Sequence, residues 1–590
     1  MKFDRVTLIL FGIAAIFLFN VLANFNPAVR YSPMLDEFLA LGTLEIFKDN
    51  LLSGKNPLEN QQWWCGNYSP INDGLTQLWF LPSPIIYTLF GEMTYVKLAY
   101  LFAMALSGIF FWYFSRELTD SDSARLFGSL MYMLGGVVVG LIYWGPWEHL
   151  LAFPLLPLCL MYGLRALHKE DNISVLKAAA VISVMIYLGT PYFTGYIFMI
   201  LTFALFFPFE DERKWSRAIT LGKILAVSLL LSAPRLLTIQ YPDIRVADVN
   251  GLDFGEIINH FLGRRQAWYE VRARQLYMGL IPIGLALFAL LSENKKKALL
   301  IVSMLWFLNW AEGTNSIMAF LPFKIPLENM LRDYRFTMWT FPLLISALAV
   351  IGLKDVESKF KVKSPLFILF AFFIIAQGLT SMIQPTGISS FIDYKQQFYF
   401  IPNMADLLSN IIPLIGVLAL TYVALREVKA SPQVIALTLL AVFHIITITL
   451  PILRPYPDYA QDPDIKAVAA EIGKDTWVYV NLDSFGSRIV YGLTFNDVKV
   501  ANLPFQPSFK VTQTNMACGK YLISSQELPE VVPIITNLPA PNTYAVKISK
   551  FSTHGKLIVY KIEQLGIAQN PQQGVAVWDL KYGSNLYEKA

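Results

Sequence analysis

Charge is scarce in this chain. Asp, Glu, Lys and Arg together make up only 15% of its 590 residues, against roughly 25% in an ordinary globular protein. Cysteine is nearly missing: Cys65, Cys159 and Cys518 are too few for a disulfide scaffold or a thiolate metal cage. Neither sign of charge dominates, the net being +4, and the basic residues sit beside apolar runs. Nucleic-acid binding as a main role is thereby excluded. The sequence also lacks a Walker loop, a zincin His-Glu-x-x-His and a serine elbow, so nucleotide-driven transport and metalloprotease chemistry have no support. No internal repeat or low-complexity tract is present.

Apolar side chains are what the sequence does have: 55% of the chain, with 43 Phe, 28 Tyr and 13 Trp. Its own polar atoms cannot cover that surface, so part of its solvent is lipid. A membrane span needs about 20 mostly apolar residues, fewer where neighbouring protein shields its ends. The hydropathy pattern predicts about 13 spans, at 6–24, 96–114, 126–143, 150–167, 178–188, 192–209, 219–233, 276–291, 298–310, 336–353, 366–382, 407–425 and 434–450. The apolar stretch 78–90 contains Pro82 and Pro84 and reads better as a re-entrant or interfacial piece. The first run follows Lys2 and Arg5, as a signal peptide would, but no small-x-small cleavage site follows it and its length suits a span.

The positive-inside rule orients these spans. With the N-terminus cytoplasmic, alternate loops carry Arg116/Arg125, Arg165/Lys169/Lys177, Arg213/Lys214/Arg217, Lys295/Lys296/Lys297, Lys354/Lys359/Lys361/Lys363 and Arg426/Lys429. The short loops on the other side, at Gly145-Pro146-Trp147 and Gly189-Thr190-Pro191, have no Lys or Arg. An odd span count then places the C-terminal tail outside the cell membrane. Four long segments, 25–95, 234–275, 311–335 and 383–406, face the same side, so function is expected there. The organisation is a transmembrane domain over 1–450, with a first external loop at 25–95, and an extracytoplasmic α/β domain over 451–590. In that tail Asp462-Pro463 predicts a helix start and Gly473 its end. Strand-like stretches follow at 477–482, 488–493, 521–524, 544–551 and 556–562, the last two joined as a hairpin by Ser552-Thr553-His554-Gly555. Asp462-x-Asp464 has part of a cation-loop pattern, but lacks further ligands and fits a helix cap better.

Several residues suit chemistry at the outer face. Ser32-Pro33 predicts a helix from 33 to about 52 that is stopped by Gly54, with Phe38, Leu41, Leu44, Phe47 and Leu51 as an apolar stripe lying in the interface plane. Asp36 and Glu37 in its first turn read two ways: as carboxylates complementing the helix dipole, or as a general base at the lipid boundary. Trp63, Trp64 and Tyr68 suit an interfacial belt and equally suit stacking on sugar rings. Between 234 and 275 the basic residues are all arginine, including Arg235, Arg245, Arg264 and Arg265, and Arg332 and Arg335 lie at the outer end of another span. A guanidinium fork matches phosphate oxygens where an ammonium does not. The alternative is ion pairing with Asp243, Asp248, Asp253, Glu256 and Glu270. His149, at an outer span end, is either a packed histidine or a ligand contact, and His444 suits a bond across helices.

Taken in order, these features resemble the GT-C superfamily of integral-membrane glycosyltransferases, and within it YfhO-like membrane proteins. The resemblance covers roughly 1–450 and rests on Gly66-Asn-Tyr-Ser-Pro, Pro82-Ser-Pro84-Ile-Ile-Tyr87, Trp147-Glu-His149 with Phe153-Pro-Leu-Leu-Pro157, Tyr277-Met-Gly279-Leu-Ile-Pro282, and Leu331-Arg-Asp-Tyr-Arg335-Phe. It implies a many-span GT-C-like helical domain, and transfer of a sugar from a polyprenyl-phosphate donor to a glycan, lipid or protein acceptor on the extracytoplasmic face, as in a hexosyltransferase of the cell envelope. It further implies Asp36 as base with Glu37 beside it or in its place, the six arginines as donor-phosphate candidates, and Trp63, Trp64, Tyr68 and His149 as sugar or acceptor contacts. No cofactor is implied with certainty; a divalent cation is compatible. The Trp-Trp-Asp motif of oligosaccharyltransferases is missing from the tail, which argues against peptide-asparagine transfer. Rival readings are a lipid or polysaccharide transporter and a non-catalytic scaffold of the same fold. Spans nearly free of charge favour the enzyme over the transporter.

Overall fold

The computed structural model describes the chain outside residues 58–76, 207–213, 239–276, 312–337, 357–367, 380–403, 481–488, 501–519, 536–541, 570–590 and a scatter of shorter stretches. It divides into two compact units. One comprises Met1–Phe25, Val96–Leu237 and Arg245–Arg454, the other Asn26–Tyr95, Thr238–Ile244 and Pro455–Ala590. The first external loop thus clusters with the tail.

The helices in chain order are α1 (Arg5–Phe17), α2 (Leu35–Leu52), α3 (Pro82–Phe114), α4 (Asp122–Leu134), α5 (Gly136–Trp144), α6 (Trp147–Ala152), α7 (Leu155–Lys169) and α8 (Asn172–Tyr187). They continue with α9 (Pro191–Phe206), α10 (Lys214–Thr238), α11 (Leu280–Phe288), α12 (Lys296–Ala311), α13 (Phe341–Val356), α14 (Met404–Glu427), α15 (Pro432–Thr449) and α16 (Pro463–Ile472). Among the described residues five stretches are long and apolar enough to cross a membrane: Pro82–Glu117, Asp122–Ile142, Trp215–Leu237, Asn410–Glu427 and Pro432–Thr449. Shorter apolar helices cover Arg5–Phe17, Asn172–Tyr187, Phe193–Phe206 and Leu280–Leu291. Helices stand at the expected spans; within 366–382 the described residues, among them 371–376, are helical.

Two spans are broken. Gly135 ends α4, because its backbone packs where an added Cβ would meet the Met131 carbonyl and Met278 Sδ, each at 2.8 Å, and Gly136 N–H donates to the Tyr277 carbonyl at 2.8 Å. Pro154 separates α6 from α7, since proline cannot donate into the preceding turn. Span 219–233 is longer than expected: α10 runs through Pro234 to Thr238.

The core of the first unit is α13, whose residues from Phe341 to Leu353 are all buried. It packs against α4, α11 and α12. At Gly352 the α11 backbone comes so close that a Cβ would collide with the Leu285 carbonyl, the small-residue contact that lets apolar helices approach. Outer helices keep their apolar side chains facing outward, with Leu229, Leu230 and Leu237 exposed on α10 and Ile412 and Ile415 on α14. That surface belongs in hydrocarbon. His444 of α15 lies with its Nε2 2.9 Å from the hydroxyl of Tyr277, which precedes α11.

In the second unit, α2 packs against the 3-10 turn Gln77–Trp79. Of the expected stripe on α2, Leu41 and Leu44 are buried, Phe47 is half-buried and Leu51 is exposed. The stripe that stays open is on the first part of α3: Leu81, Ile85, Leu89 and Phe90 are exposed, at the i, i+4 spacing of one helix face. Gly91, at φ 77° and ψ 169°, breaks α3 there, and only glycine enters that region without strain. Pro82–Phe90 is therefore a helical piece set off from the rest of α3 by Gly91.

The tail forms a six-stranded sheet in the order β4-β3-β5-β8-β7-β6, from β3 (Trp477–Val480), β4 (Lys499–Val500), β5 (Tyr521–Ser524), β6 (Val531–Ile535), β7 (Asn542–His554) and β8 (Leu557–Gln569). β3 pairs in parallel with β4 and β5, and the others pair antiparallel. A two-residue pairing joins β1 (Val29–Arg30) to β2 (Tyr456–Pro457). α16 begins where Asp462 accepts from Asp464 N–H at 2.8 Å, and ends at Gly473, φ 85°. The expected strand at 488–493 is not one: its described residues include helical turn at Ile489 and Gly492. Alternation over six residues could not distinguish the two.

Candidate functional site

Asp36 and Glu37 are the second and third residues of α2, in the second unit; their side chains lie outside the described residues. So do Trp63, Trp64, Tyr68, Arg245, Arg264, Arg265, Arg332 and Arg335. Two expected site residues can be located, both in the first unit. Arg235 is fully buried in the last turn of α10, where a cation complements the helix dipole. His149, 2% exposed, is packed edge-on against Trp339 at 4.6 Å and Phe193 at 5.4 Å between ring centroids.

The structure gathers a further polar set that the sequence reading did not single out. The Tyr87 hydroxyl, fully buried, donates to Glu45 Oε2 at 2.7 Å. Lys48 Nζ donates to Glu45 Oε1 at 2.6 Å and lies 5.8 Å from the centroid of the Tyr87 ring. Behind them Tyr95 donates to Ser83 Oγ at 2.9 Å, with its ring 5.7 Å from that of Tyr87. A hydrogen bond to a carboxylate contributes about 1.5–3 kcal/mol, so this set fastens α2, which carries Asp36, to the helix before Gly91. The readable signal was Glu45-x-x-Lys48, an ordinary helical ion-pair spacing; Tyr87 is remote in sequence and could not be matched to it.

In the tail, Glu471 of α16 accepts from Ser552 Oγ at 2.5 Å, and its Oε2 lies 2.7 Å from His554 Nε2. The Ser552 hydroxyl holds the Glu471 carboxyl below the usual carboxylate range against an upward push from burial, and the His554 ring lowers it further. Asp464 accepts from Lys556 N–H at 3.0 Å, and a Cβ at Gly555 would collide with its carboxylate. Asp462 and Asp464 are thus cap and clasp in this structure. Both Ser552 and His554 bond one carboxylate, which does not relay a proton from serine through histidine as a hydrolase would. Among the described residues no three His, Cys, Asp or Glu side chains come together as a metal site, and Cys159 is buried as a free thiol.

No protein-family profile matches the chain, and no curated protein sequence does. Solved structures do resemble it. ArnT from Cupriavidus metallidurans bound to undecaprenyl phosphate has a TM-score of 0.50 at 12% identity, over 94% of this chain and 97% of that one. The same protein in its apo state gives 0.49 at 14% identity, over 94% and 97%. An oligosaccharyltransferase from Archaeoglobus fulgidus, tethered to an acceptor peptide containing the NVT sequon, gives 0.43 at 12% identity, over 88% and 69%. At such identity the likeness to ArnT speaks to the fold, which matches along nearly the whole of both chains. This chain is a helical membrane protein with a fold similar to that of ArnT.

Proposed function

We propose that the protein is a membrane glycosyltransferase that takes a sugar from a polyprenyl-phosphate carrier and adds it to an acceptor outside the cell membrane. The observation that carries this reading is the fold similarity to ArnT, a protein crystallised with undecaprenyl phosphate, across 94% of this chain. The order of the sequence motifs supports a YfhO-like member of the GT-C group, N-terminus in and C-terminus out. In this reading Asp36, with Glu37 beside it, is the general base. An acceptor hydroxyl attacks the anomeric carbon, its proton passes to the carboxylate, and the bond from sugar to phosphate breaks with the electron pair leaving on the phosphate. The phosphate is already a good leaving group, so no separate strong acid is required. Arg235, Arg245, Arg264, Arg265, Arg332 and Arg335 supply the guanidinium forks from which the phosphate ligands are drawn. Trp63, Trp64, Tyr68 and His149 contribute ring faces and polar edges for sugar or acceptor.

One variant series tests these roles. Asp36→Asn keeps size and much of the hydrogen bonding but cannot take the proton, so turnover falls about 10²–10⁴-fold with donor binding intact. Among six single Arg→Lys variants at least one weakens donor binding by about 1–3 kcal/mol, since charge is kept and the fork is lost. Near wild-type transfer by folded Asp36→Asn protein would make Asp36 a helix-dipole residue only.

A further inference from the structure

Within the second unit α2 is held by two kinds of contact. It packs on the 3-10 turn Gln77–Trp79, with Leu41, Leu44 and Ile46 buried. Apolar burial is non-directional and does not by itself fix the tilt of a helix. The directional contact is Glu45. One of its carboxylate oxygens accepts from the Tyr87 hydroxyl at 2.7 Å and the other from Lys48 Nζ at 2.6 Å, so the carboxylate cannot turn without losing a partner. Tyr87 is fully buried, and moving α2 away would take that acceptor from a buried hydroxyl, which is costly.

Tyr87 belongs to Pro82–Phe90, and Gly91, at φ 77° and ψ 169°, makes no helical connection from there to the rest of α3. Side chains cross the break instead. Tyr95 donates to Ser83 Oγ at 2.9 Å, and its ring meets that of Tyr87 at 5.7 Å and 68°. Ser83, Tyr87 and Tyr95 are all buried. Glu45, Tyr87, Tyr95 and Ser83 therefore link α2 to both sides of the break. Asp36 lies nine residues before Glu45 on the same helix, about 14 Å along its axis. At that lever arm a tilt of about 5° about Glu45 carries position 36 through about 1 Å, and about 1 Å of misplacement can cost on the order of 10²-fold in rate.

We infer that Tyr87, acting through Glu45, is a positioning residue for the first turn of α2 and sets the tilt at which Asp36 meets the acceptor hydroxyl. The inference rests on the reading of Asp36 as the base. Its test is single-turnover transfer by the full-length protein, with donor binding and a thermal melt in detergent measured on every variant. Tyr87→Phe keeps the ring against Tyr95 and loses the hydroxyl, so transfer slows about tenfold or more while donor affinity stays within about twofold. Glu45→Ala slows transfer by the same factor, and adding Tyr87→Phe to it costs nothing further, because both remove one bond. Glu45→Gln still accepts from Tyr87 and recovers most of what Glu45→Ala loses. In the Asp36→Asn background Tyr87→Phe has no further effect, since no proton transfer remains to be positioned. Should Tyr87→Phe not fold, Glu45→Ala and Glu45→Gln carry the same comparison. Folded Tyr87→Phe protein that transfers within about twofold of wild type, or that slows by an equal factor in the Asp36→Asn background, overturns the positioning role and leaves the base standing. Wild-type transfer by Asp36→Asn overturns the base itself, and the positioning role with it.

Discussion

Glu471 shows how much a single exposed carboxylate can hold in place, because Ser552 and His554 from the β7–β8 hairpin both close on it. Its folded pKa is below the ordinary carboxylate value, through the Ser552 bond first and His554 next. A group depressed in this way contributes stability that is present above the unfolded value, about 4.3, and is lost as pH falls through the lower folded value. The melting temperature of Glu471→Gln should therefore lie below that of the wild type at pH 6 and converge on it toward pH 3. A gap that is unchanged by acid would remove Glu471 from the clasp. At this scale the sequence was legible where a residue works with its near neighbours, as Asp462 does in capping α16. It was illegible where partners are remote: nothing near Glu471 announces Ser552, and nothing near Glu45 announces Tyr87.

Helix length and packing distance govern the elements. Apolar runs located helices, five of which, among the described residues, are long and apolar enough to cross a membrane. Breaks were harder, since the interruption at Gly135 is caused by Met278 and Tyr277 pressing on it from far along the chain. Interfacial readings were made for both α2 and the piece 78–90; Leu41 and Leu44 of the α2 stripe are buried, while Leu51 and, before Gly91, Leu81, Ile85, Leu89 and Phe90 are exposed: a helical period shows that a face exists, and its neighbours decide what covers it. The tightest approach, α11 on α13 at Gly352, gives a sharp expectation. Gly352→Ala forces a methyl against the Leu285 carbonyl and should cost about 1–3 kcal/mol or more. Gly222→Ala on α10, with open space around the added methyl, should be neutral or stabilising by up to about 1 kcal/mol. Thermal melts in one detergent compare them, and equal melting temperatures would contradict the close approach.

Across the first unit, the ends that the charge pattern assigned to one side do come together. Arg116 pairs with Asp4 at 3.6 Å, Arg5 with Glu427 at 3.4 Å and Arg165 with Glu117 at 2.7 Å, while Asn294 bonds the Leu118 carbonyl. The termini of α1, α3, α7, α12 and α14 thus share one end, as an alternating topology requires. If that end is cytoplasmic, a cysteine placed near Lys296 is labelled only from the cytoplasm and one near Ser552 only from outside; labelling of both from the same side would break the odd-span topology. The sequence offered the candidate site only as residue types in order, and most of those residues, including the arginines within 239–276 and 312–337, lie outside the described residues. The central claim is donor chemistry. Purified protein incubated with a panel of polyprenyl-phosphate sugars, with and without a divalent cation, should consume at least one lipid-linked sugar and release the polyprenyl phosphate. Folded protein that leaves every donor on the panel intact, with acceptor glycans, lipids and proteins supplied, would contradict it.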